Sequence, residues 1–428
     1  MLFNQTLTYI SLFSGAGVGC YGLLEEGFEC VATNEILEKR LNIQRINRKC
    51  KLDENCISGD IKKPETKEKI LKQIGFYSKK FGNDRVDLVI ATPLCQGMSV
   101  ANHKKKNDEI KRNSLVIESV DLIKQIKPRF FILENVPSFY KTGCIDKNDN
   151  LLEIGSMIEQ NLSGDYMLYD EVINFKNFGA NSSRTRTLVI GVCKEFKDFT
   201  SALEFFPDFK QEKTLKEVIG SLKPLAWGEY DSADFYHSFR TYPKHMQEWI
   251  KDLKEGQSAF ENVQDAIGDL AYLCSNEGAF ESDYLNPIQS SYQALMRKDS
   301  PKLYNHQATN HSQAALEKLK LINKEQGKEC LPKNLHGKQQ FKSTWGRLNW
   351  NKISPTIDTR FDTPSNGTNS HPELHRSITP REAARIQSFS DNYIFYGNKT
   401  SVCKQIGNAV PPLLALALGK AILKNLRK

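Results

Sequence analysis

Apolar and β-branched residues gather in short runs, separated by polar and glycine-containing stretches, along the first half of the chain. Short runs of this kind are typical of buried strands. The runs that predict strands are 7–13, 28–33, 88–91, 130–133, 172–175 and 187–192, with the end of a further short strand at 57–60. Leu115 to Ile126 has the amphipathic spacing of a helix and stops before a proline. Strands that alternate with helices predict an α/β domain with a mostly parallel sheet.

A glycine-rich loop follows the first predicted strand. Ser14-Gly15-Ala16-Gly17-Val18-Gly19 lies between that strand and a helix predicted over 21–26. Glycine lets the backbone approach a ligand closely, and the N-terminus of a helix favours negative charge. The second strand ends at Glu35, and an acid about 20 residues after such a loop can bind ribose hydroxyls. The pattern predicts a nucleotide-type ligand, with a tight turn and no ligand as the alternative.

Chemically useful side chains also follow the next three predicted strands. Asp60 ends the third strand, Cys95 follows the fourth and Glu134 follows the fifth. Open α/β folds place their chemistry at the carboxyl ends of strands. A thiolate nucleophile needs a partly exposed position of this kind, although an isolated cysteine is more often inert packing. Because several strands end in this way, the sequence predicts a reactive centre there.

The pattern changes after about residue 195. Residues 197–345 are rich in Lys, Asn, Gln and Ser with scattered aromatic residues, which predicts a separate domain with irregular structure. Helical patterns return from Pro380 to about Gln387 and from Pro411 to about Leu426. The final helix is apolar on most faces, so we expect it to pack into the first domain.

Composition narrows the classes of function. Lys and Arg number 59 against 51 Asp and Glu, and the net charge of +8 suits a nucleic-acid partner as well as many ordinary cytosolic proteins. The ten cysteines form no Cys-x-x-Cys pair, so a reduced cytoplasmic protein is expected rather than a zinc or thioredoxin-like one. No apolar run approaches the ~20 residues of a membrane span, and we expect no signal peptide.

Six motifs in a fixed order give the chain a clear resemblance to the DNA (cytosine-5) methyltransferases. The motifs are Leu12–Gly17, Pro93–Gln96, Glu134–Val136, Arg184–Arg186, Arg376–Glu382 and Gln405–Val410. The resemblance covers about residues 7–195 and 345–428. It implies a Rossmann-like S-adenosylmethionine-dependent methyltransferase domain at 1–195, completed by 396–428. It also implies a smaller, irregular target-recognition domain at 196–395.

The resemblance further implies a catalytic set. Cys95 would attack C6 of cytosine, Glu134 would hydrogen-bond N3 of the base, and Asn135 would help to hold the site. Arg186 would bind O2 of the base, and Arg184 would brace the site and a nearby phosphate. Because the base must leave the helix stack for this chemistry, base flipping is implied.

S-adenosylmethionine is the cofactor implied, with S-adenosylhomocysteine as its product and no metal. The residues expected to bind it are Phe13, Ser14, Gly15, Ala16, Gly17, Glu35, Ile36, Asp60, Ile61, Pro93, Leu115, Asn408 and Ala409. Among these, Glu35 would bind the ribose hydroxyls and Asp60 the adenine amino group. Asn408 and Ala409 would return from the C-terminal part of the chain to close the pocket.

Position 94 departs from the family pattern, which has Pro-Pro-Cys-Gln where this chain has Pro-Leu-Cys-Gln. Proline would stiffen this loop, so Leu94 leaves open a catalytically weakened relative that binds DNA or the cofactor. A tRNA cytosine-5 methyltransferase of the same fold is a second alternative. The large middle domain favours duplex DNA as the partner. We expect a cytoplasmic monomer without membrane contact, and a cognate restriction endonuclease acting on the same site as a companion.

Overall fold

The computed structural model describes residues 6–82, 85–93, 113–180, 182–195, 263, 270, 273, 278–284, 286–288, 291–298, 300–324, 326–336 and 343–426. The chain divides into two compact units. One contains Met1–Phe175, Arg184–Asp208 and Ala409–Lys428, and the other contains Lys176–Ser183 and Phe209–Asn408. The functional division expected at 195 and 396 remains a prediction, because compactness alone does not report which residues recognise a target.

The strands are short and mostly buried. They are β1 (Thr8–Leu12), β2 (Glu29–Glu35), β3 (Cys56–Ser58), β4 (Leu88–Ala91), β5 (Phe130–Asn135), β6 (Gly143–Ile145), β7 (Leu151–Glu153), β8 (Tyr166–Asn174), β9 (Thr185–Cys193), β10 (Gly278–Ser282) and β11 (Leu303–Gln307). The helices are α1 (Tyr21–Glu25), α2 (Glu38–Ile46), α3 (Pro64–Phe81), α4 (Leu115–Ile126), α5 (Ile154–Leu162), α6 (Ser291–Arg297), α7 (Gln313–Leu321), α8 (Pro380–Ile386), α9 (Lys399–Gly407) and α10 (Pro412–Leu426). Short 3₁₀ turns lie at Val18–Cys20, Asp53–Asn55, Phe139–Lys141, Phe175–Phe178, Lys328–Cys330, Lys333–Leu335 and Pro364–Asn366.

A seven-stranded sheet, counted over the described residues, forms the centre of the first unit. Its order is β3-β2-β1-β4-β5-β9-β8. The five strands from β3 to β5 in that order pair in parallel, whereas β9 runs antiparallel to both β5 and β8. The predicted α/β class with a mostly parallel sheet is confirmed.

Burial explains why the central strands could be predicted from the sequence. Every residue of β1, β4 and β5 is buried, and strands covered on both faces carry nearly continuous apolar sequences. Helix α4 has the bounds predicted for it, and its Val120 and Ile123 join one hydrophobic cluster with Val89 of β4 and Phe131 of β5. The parallel strands therefore end at one edge of a rigid sheet.

Helix α3 lies outside the elements that the sequence predicted. It begins with Pro64 at its first position, where a missing N–H is harmless. Ile70 and Tyr77 are buried in the hydrophobic cluster of the first unit, while most of the intervening positions are polar and many are exposed. The helix packs against the hydrophobic cluster through a narrow apolar face. Because most of its residues are polar, the sequence pattern did not predict it.

Buried ion pairs organise the second unit around α8. Arg376 Nη2 lies 2.7 Å from Glu382 Oε1, and Arg385 Nη2 lies 2.6 Å from Asp391 Oδ2, with all four side chains almost fully buried. Thr379 caps α8 in a reciprocal capping box with Glu382. The middle region predicted to be irregular also contains, in its described part, β10, β11, α6 and α7.

The final helix, α10, packs against α1 within the first unit, as its apolar sequence predicts. Gly22 of α1 is so close to α10 that a Cβ there would lie 2.1 Å from the carbonyl oxygen of Pro412. The same Cβ would lie 2.5 Å from the backbone nitrogen of Leu416. Lys420 Nζ lies 3.7 Å from Glu26 Oε1 at the edge of this contact.

In the described part of the chain, one helical segment is long and apolar enough to cross a membrane, which the sequence analysis did not expect. Lys399–Leu426 contains an 18-residue window that is apolar enough for a membrane span, and 61% of that window is buried. Burial of this extent is also what a core helix of a folded domain shows. The packing of α10 on α1 favours the core-helix interpretation.

Substitution of Gly22 by alanine is expected to lower the free energy of unfolding by about 1–3 kcal/mol, the usual penalty of overpacking. The new methyl group would have to displace backbone atoms of α10, which cannot rotate away as a side chain can. Urea denaturation followed by circular dichroism measures the change. Gly75→Ala is the matched control, because Gly75 is exposed in α3 with no atom near its Cβ position, and it should raise stability by about 0.5–1 kcal/mol. Equal shifts in both variants would contradict this packing.

Candidate active site

The glycine loop turns sharply where β1 ends. Phe13 and Gly17 have φ values of 54° and 87°, both in the left-handed region. The Gly17 amide donates to the Ser14 carbonyl at 2.8 Å, and the Ser14 amide donates to the Asn34 carbonyl at 3.0 Å. The loop therefore lies against the end of β2. Position 17 favours glycine because its φ is positive and a Cβ there would lie 2.6 Å from Cγ of Gln44.

The Glu35 carboxylate is held beside this loop. It is buried at the end of β2 and accepts from the Gly15 amide at 2.9 Å and from the Leu37 amide at 3.1 Å. Arg40 Nη1 lies 3.4 Å from the same carboxylate. Two backbone donors and one cation thus fix a negative charge at the mouth of the loop, in the position predicted for a group that accepts hydrogen bonds from hydroxyls.

The turn that follows β3 lies next to Glu35. The Gly59 amide donates to the Glu35 carbonyl at 3.2 Å, and Asp60 Oδ1 accepts from the Lys62 amide at 3.0 Å. Ile61 is buried in the hydrophobic cluster of the unit, whereas Ile36 is 58% exposed. The structure therefore brings Glu35 and Asp60 to neighbouring strand ends and separates the two isoleucines into a core and a surface position.

The loops after β1 and β4 are joined by hydrogen bonds. Thr92 Oγ1 donates to the Phe13 carbonyl at 3.1 Å, and the Thr92 amide donates to the Leu12 carbonyl at 3.3 Å. Pro93 is buried, and Leu115 at the start of α4 packs against the hydrophobic cluster. Thr92 was not among the predicted site residues, although it stands in the predicted loop.

Asn135 connects the end of β5 to the loop after β4. Its Nδ2 donates to the Pro93 carbonyl at 2.9 Å, while its Oδ1 accepts from the Val136 amide at 2.9 Å. Cys95, the predicted nucleophile, lies outside the described residues, as do Leu94 and Gln96. The predicted catalytic cysteine is thus two residues beyond a backbone group that Asn135 anchors.

Glu134 and the two predicted arginines come together within the first unit. Arg186 Nε lies 3.2 Å from Glu134 Oε1, and both side chains are largely buried. Burial raises the pKa of the Glu134 carboxyl, and the positive charges of Arg186 and Arg184 act against that rise. Register places Glu134 opposite Leu188 of β9, which explains how residues distant in sequence meet here. A buried carboxyl of this kind can hold a proton and donate it in a hydrogen bond.

The two C-terminal residues predicted to close the pocket fall in different compact units. Asn408 caps α9 in the second unit and donates its amide to the Lys404 carbonyl at 3.1 Å. Ala409 begins the C-terminal part of the first unit and is buried. Their contact with a cofactor stays a prediction.

Metal-ligating side chains do not gather in the described part of the chain. No group of three or more His, Cys, Asp or Glu residues stands close enough there to hold an ion. The expectation of a metal-free reaction stays a prediction. His306 instead hydrogen-bonds Thr379 Oγ1 at 2.9 Å beside the N-terminus of α8.

Sequence reasoning missed several polar residues beneath the glycine loop. Gln44 and Thr33 are fully buried and Lys49 nearly so, and they form hydrogen bonds that reach Ser14 and Gly15. Gln44 and Lys49 stand in a polar stretch for which the sequence analysis predicted no element, and Thr33 ends a predicted strand. Only the buried setting distinguishes them from surface residues, and sequence alone offered no signal for it.

One protein family matches this chain over most of its length. The model of the C-5 cytosine-specific DNA methylase family matches residues 7–424. The type II methyltransferase M.DdeI of Desulfomicrobium norvegicum is 29% identical over 357 residues, which are 79% of this chain and 72% of the relative. The type II methyltransferase M1.HphI of Haemophilus parahaemolyticus is 26% identical over 425 residues, which are 99% and 88% of the two chains.

Solved structures agree at the level of the fold. A chain described as a DNA modification methyltransferase encoded within an E. coli prophage superposes with a TM-score of 0.64 at 22% identity, over 99% of this chain and 100% of that one. The Dnmt2 methyltransferase of S. pombe gives a TM-score of 0.50 at 14% identity over the same shares. At these identities the likeness concerns the fold alone.

Proposed function

Since the chain belongs to the family of C-5 cytosine-specific DNA methylases and is a DNA (cytosine-5) methyltransferase, we propose that it methylates cytosine within one specific duplex DNA sequence, using S-adenosylmethionine. The target base is flipped out of the duplex and is held covalently by Cys95 during the reaction. The observation that carries this proposal is the buried Glu134–Arg186 pair at the end of β5. Asn135, the residue after Glu134, holds the Pro93 carbonyl two residues before Cys95.

Cys95 makes C5 of the base reactive. Cytosine C5 is a poor nucleophile, and addition of the Cys95 thiolate to C6 converts the ring into an enamine-like species. The electron pair of the former C5–C6 double bond then becomes available at C5 to attack the methyl group. S-adenosylmethionine supplies an activated methyl group on its sulfonium and leaves as S-adenosylhomocysteine. Loss of the C5 proton and departure of the thiolate restore the aromatic ring.

Glu134 stabilises the ring while the thiol is attached. Thiolate addition builds negative charge that reaches N3 of the base, and a protonated carboxyl can donate a hydrogen bond there. Burial raises the pKa of the Glu134 carboxyl, and the nearby charges of Arg186 and Arg184 act against that rise. The raised pKa extends the pH range over which the carboxyl holds its proton. Arg186 beside it would bind O2 of the base, and Arg184 would brace the pair and a nearby phosphate.

The residues of the glycine loop and of the two acidic strand ends fit the proposed cofactor. Glu35 is a buried carboxylate fixed beside a loop in which glycine is favoured at position 17. Glu35 would accept hydrogen bonds from the ribose hydroxyls, Asp60 would accept from the adenine amino group, and the Ser14–Gly17 backbone would hold the methionine end. We propose that Phe13, Ile36, Ile61, Pro93, Leu115, Asn408 and Ala409 complete this pocket.

The names of the relatives support a restriction–modification role. Both curated relatives described above are named type II methyltransferases. We propose that this protein methylates its target sequence so that a companion endonuclease does not cut it, and that it acts as a monomer in the cytoplasm, with 196–395 recognising the target. A neighbouring endonuclease gene with the same specificity would support the role.

Methyl transfer to DNA tests the proposal directly. Labelled S-adenosylmethionine is incubated with mixed-sequence duplex DNA, and the DNA is digested to nucleosides whose masses are determined. We expect label in 5-methyl-2′-deoxycytidine and none in a duplex built only of A·T pairs. Label on tRNA but not on DNA would replace the proposal with the RNA alternative.

A second arm addresses the unusual loop. Cofactor binding with no transfer to either nucleic acid would indicate a silent binding protein. In that case Leu94→Pro, which restores the family pattern and stiffens the loop, should recover activity. A working wild type that Leu94→Pro leaves unchanged would show that position 94 does not limit turnover.

A further inference from the structure

A chain of buried hydrogen bonds lies directly beneath the glycine loop. Gln44 on α2 donates through Nε2 to Ser14 Oγ at 2.8 Å and to the Gly15 carbonyl at 2.7 Å. Its Oε1 accepts from Thr33 Oγ1 at 2.8 Å. Gln44 and Thr33 are both 0% exposed, so water does not compete for these bonds. The loop therefore rests on a buried amide that contributes two donors to it.

Lys49 determines which way this amide points. Lys49 is 2% exposed, and its Nζ donates to Thr33 Oγ1 at 3.0 Å. An ammonium group can only donate, so the Thr33 hydroxyl accepts from it and must direct its own hydrogen elsewhere. That hydrogen is directed to Gln44 Oε1. The amide oxygen therefore faces Thr33, and the amide nitrogen faces the loop.

Gly17 shows how closely the loop and this network approach each other. A Cβ at position 17 would lie 2.6 Å from Cγ of Gln44 and 3.0 Å from Cδ of Lys49. The Lys49 amide also donates to the Gln44 carbonyl at 2.9 Å, which joins the two residues through the backbone. A side chain at position 17 would collide with Gln44, so the loop and the buried amide are in direct contact.

We propose that Gln44, oriented by Thr33 and Lys49, is a positioning residue that holds the glycine loop in its cofactor-binding shape before S-adenosylmethionine arrives. This inference rests on the proposed function, because it concerns the same cofactor site. A preorganised loop does not have to be ordered at the moment of binding, so its affinity for the ligand is higher. Gln44 contributes to cofactor affinity through Ser14 and Gly15 and does not touch the reacting base.

Two substitutions separate hydrogen bonding from packing. Gln44→Met keeps the length and the apolar stem beneath Gly17 but has no donor. Gln44→Glu keeps the shape, but an ionised carboxylate cannot donate to the Gly15 carbonyl. We expect both to raise the Kd for S-adenosylmethionine, measured by calorimetry, by about 10- to 100-fold, the usual effect of leaving buried polar groups unpaired. In turnover, KM for the cofactor should rise while kcat changes by less than about twofold.

Thr33 provides a rescue pair and α2 provides a control. Thr33→Val removes the group that orients the amide and should raise Kd by about 3- to 10-fold, whereas Thr33→Ser keeps the hydroxyl and should restore the wild-type value. Asn42→Ala changes an exposed residue on the same helix and should leave Kd unaltered. Hydrogen exchange of the cofactor-free protein provides a readout independent of activity, and amides of residues 14–17 should exchange faster in Gln44→Met.

The outcomes distinguish this inference from the proposed function. If the wild-type protein binds no S-adenosylmethionine and methylates nothing, the proposed function fails and the inference with it. If the wild type binds and methylates while Gln44→Met binds the cofactor equally well, only the inference is overturned. If Gln44→Met does not fold, Thr33→Val against Thr33→Ser decides the question, and equal Kd values for that pair would refute it.

Discussion

Replacing Cys95 with serine is expected to reduce methyl transfer to duplex DNA by at least about 10⁴-fold, the scale seen when a covalent nucleophile is removed. A serine hydroxyl is scarcely ionised near neutral pH, and a thiolate is the far stronger nucleophile toward C6. Binding of S-adenosylmethionine should be unchanged, because the cysteine acts on the base. Transfer of labelled methyl groups and calorimetry of cofactor binding measure the two quantities separately.

A substrate with fluorine at C5 of cytosine makes the covalent step visible. After methyl transfer, release of the thiolate requires loss of the C5 proton, and fluorine cannot leave in its place. The wild-type protein should therefore remain attached to such DNA through denaturing electrophoresis, and Cys95→Ser should not. Cys330→Ser is the matched control, because Cys330 is partly exposed and its thiol donates to Gln326 in a bond that serine can keep. A DNA adduct that persists in Cys95→Ser would contradict the assignment of the nucleophile.

Replacing Glu134 with glutamine is expected to lower kcat by about 10²- to 10⁴-fold, the usual range for a general acid. Glutamine keeps the shape of the side chain and a hydrogen-bond donor, but it cannot exchange a proton with N3 of the base. It also turns the carboxyl that lies 3.2 Å from Arg186 Nε into an amide, so any change in Arg186 has to be tested alongside. Single-turnover rates at saturating DNA and cofactor report this step without contributions from product release.

The pH dependence provides a sharper test of the same residue. Burial raises the pKa of Glu134, so its protonated form persists to higher pH than that of an exposed carboxyl. Because the proposed role requires the proton, the wild-type single-turnover rate should fall as pH rises through that raised pKa. Glu134→Gln should lack this part of the profile, and Glu159→Gln, an exposed carboxyl on α5, should retain it. An alkaline limb that survives unchanged in Glu134→Gln would argue against an acid role.

Uniform burial made most of the sheet predictable from sequence. The strand sequences Leu88–Ala91 and Phe130–Asn135 are apolar along most of their length because both faces are covered. The same runs carry no information about direction, and the antiparallel course of Thr185–Cys193 depends on its pairing with strands on either side. Helix Pro64–Phe81 escaped prediction because its buried face is narrow.

The candidate site also contains some residues that the sequence predicted and others that it did not. Glu35 and Glu134 follow apolar runs, and the sequence indicated them because such ends meet at one sheet edge. Gln44 and Lys49 could not be predicted, because a polar residue in a polar segment gives no sign of being buried. Their burial depends on the packing of α2 against the glycine loop. That contact exists only in the folded structure and leaves no pattern in the sequence. Polar residues that support a site are thus the ones that sequence reasoning is least able to find.

The contact between α1 and α10 has a consequence for the order of synthesis. The two helices are far apart in the sequence. Gly22 can contact Pro412 only after the ribosome has translated all the residues between them. At roughly 5–20 residues per second, the nascent protein exposes the uncovered face of α1 for tens of seconds. Chaperones would have access to that face throughout. The methyltransferase unit is therefore completed only after α10 has left the ribosome, however early its sheet has formed.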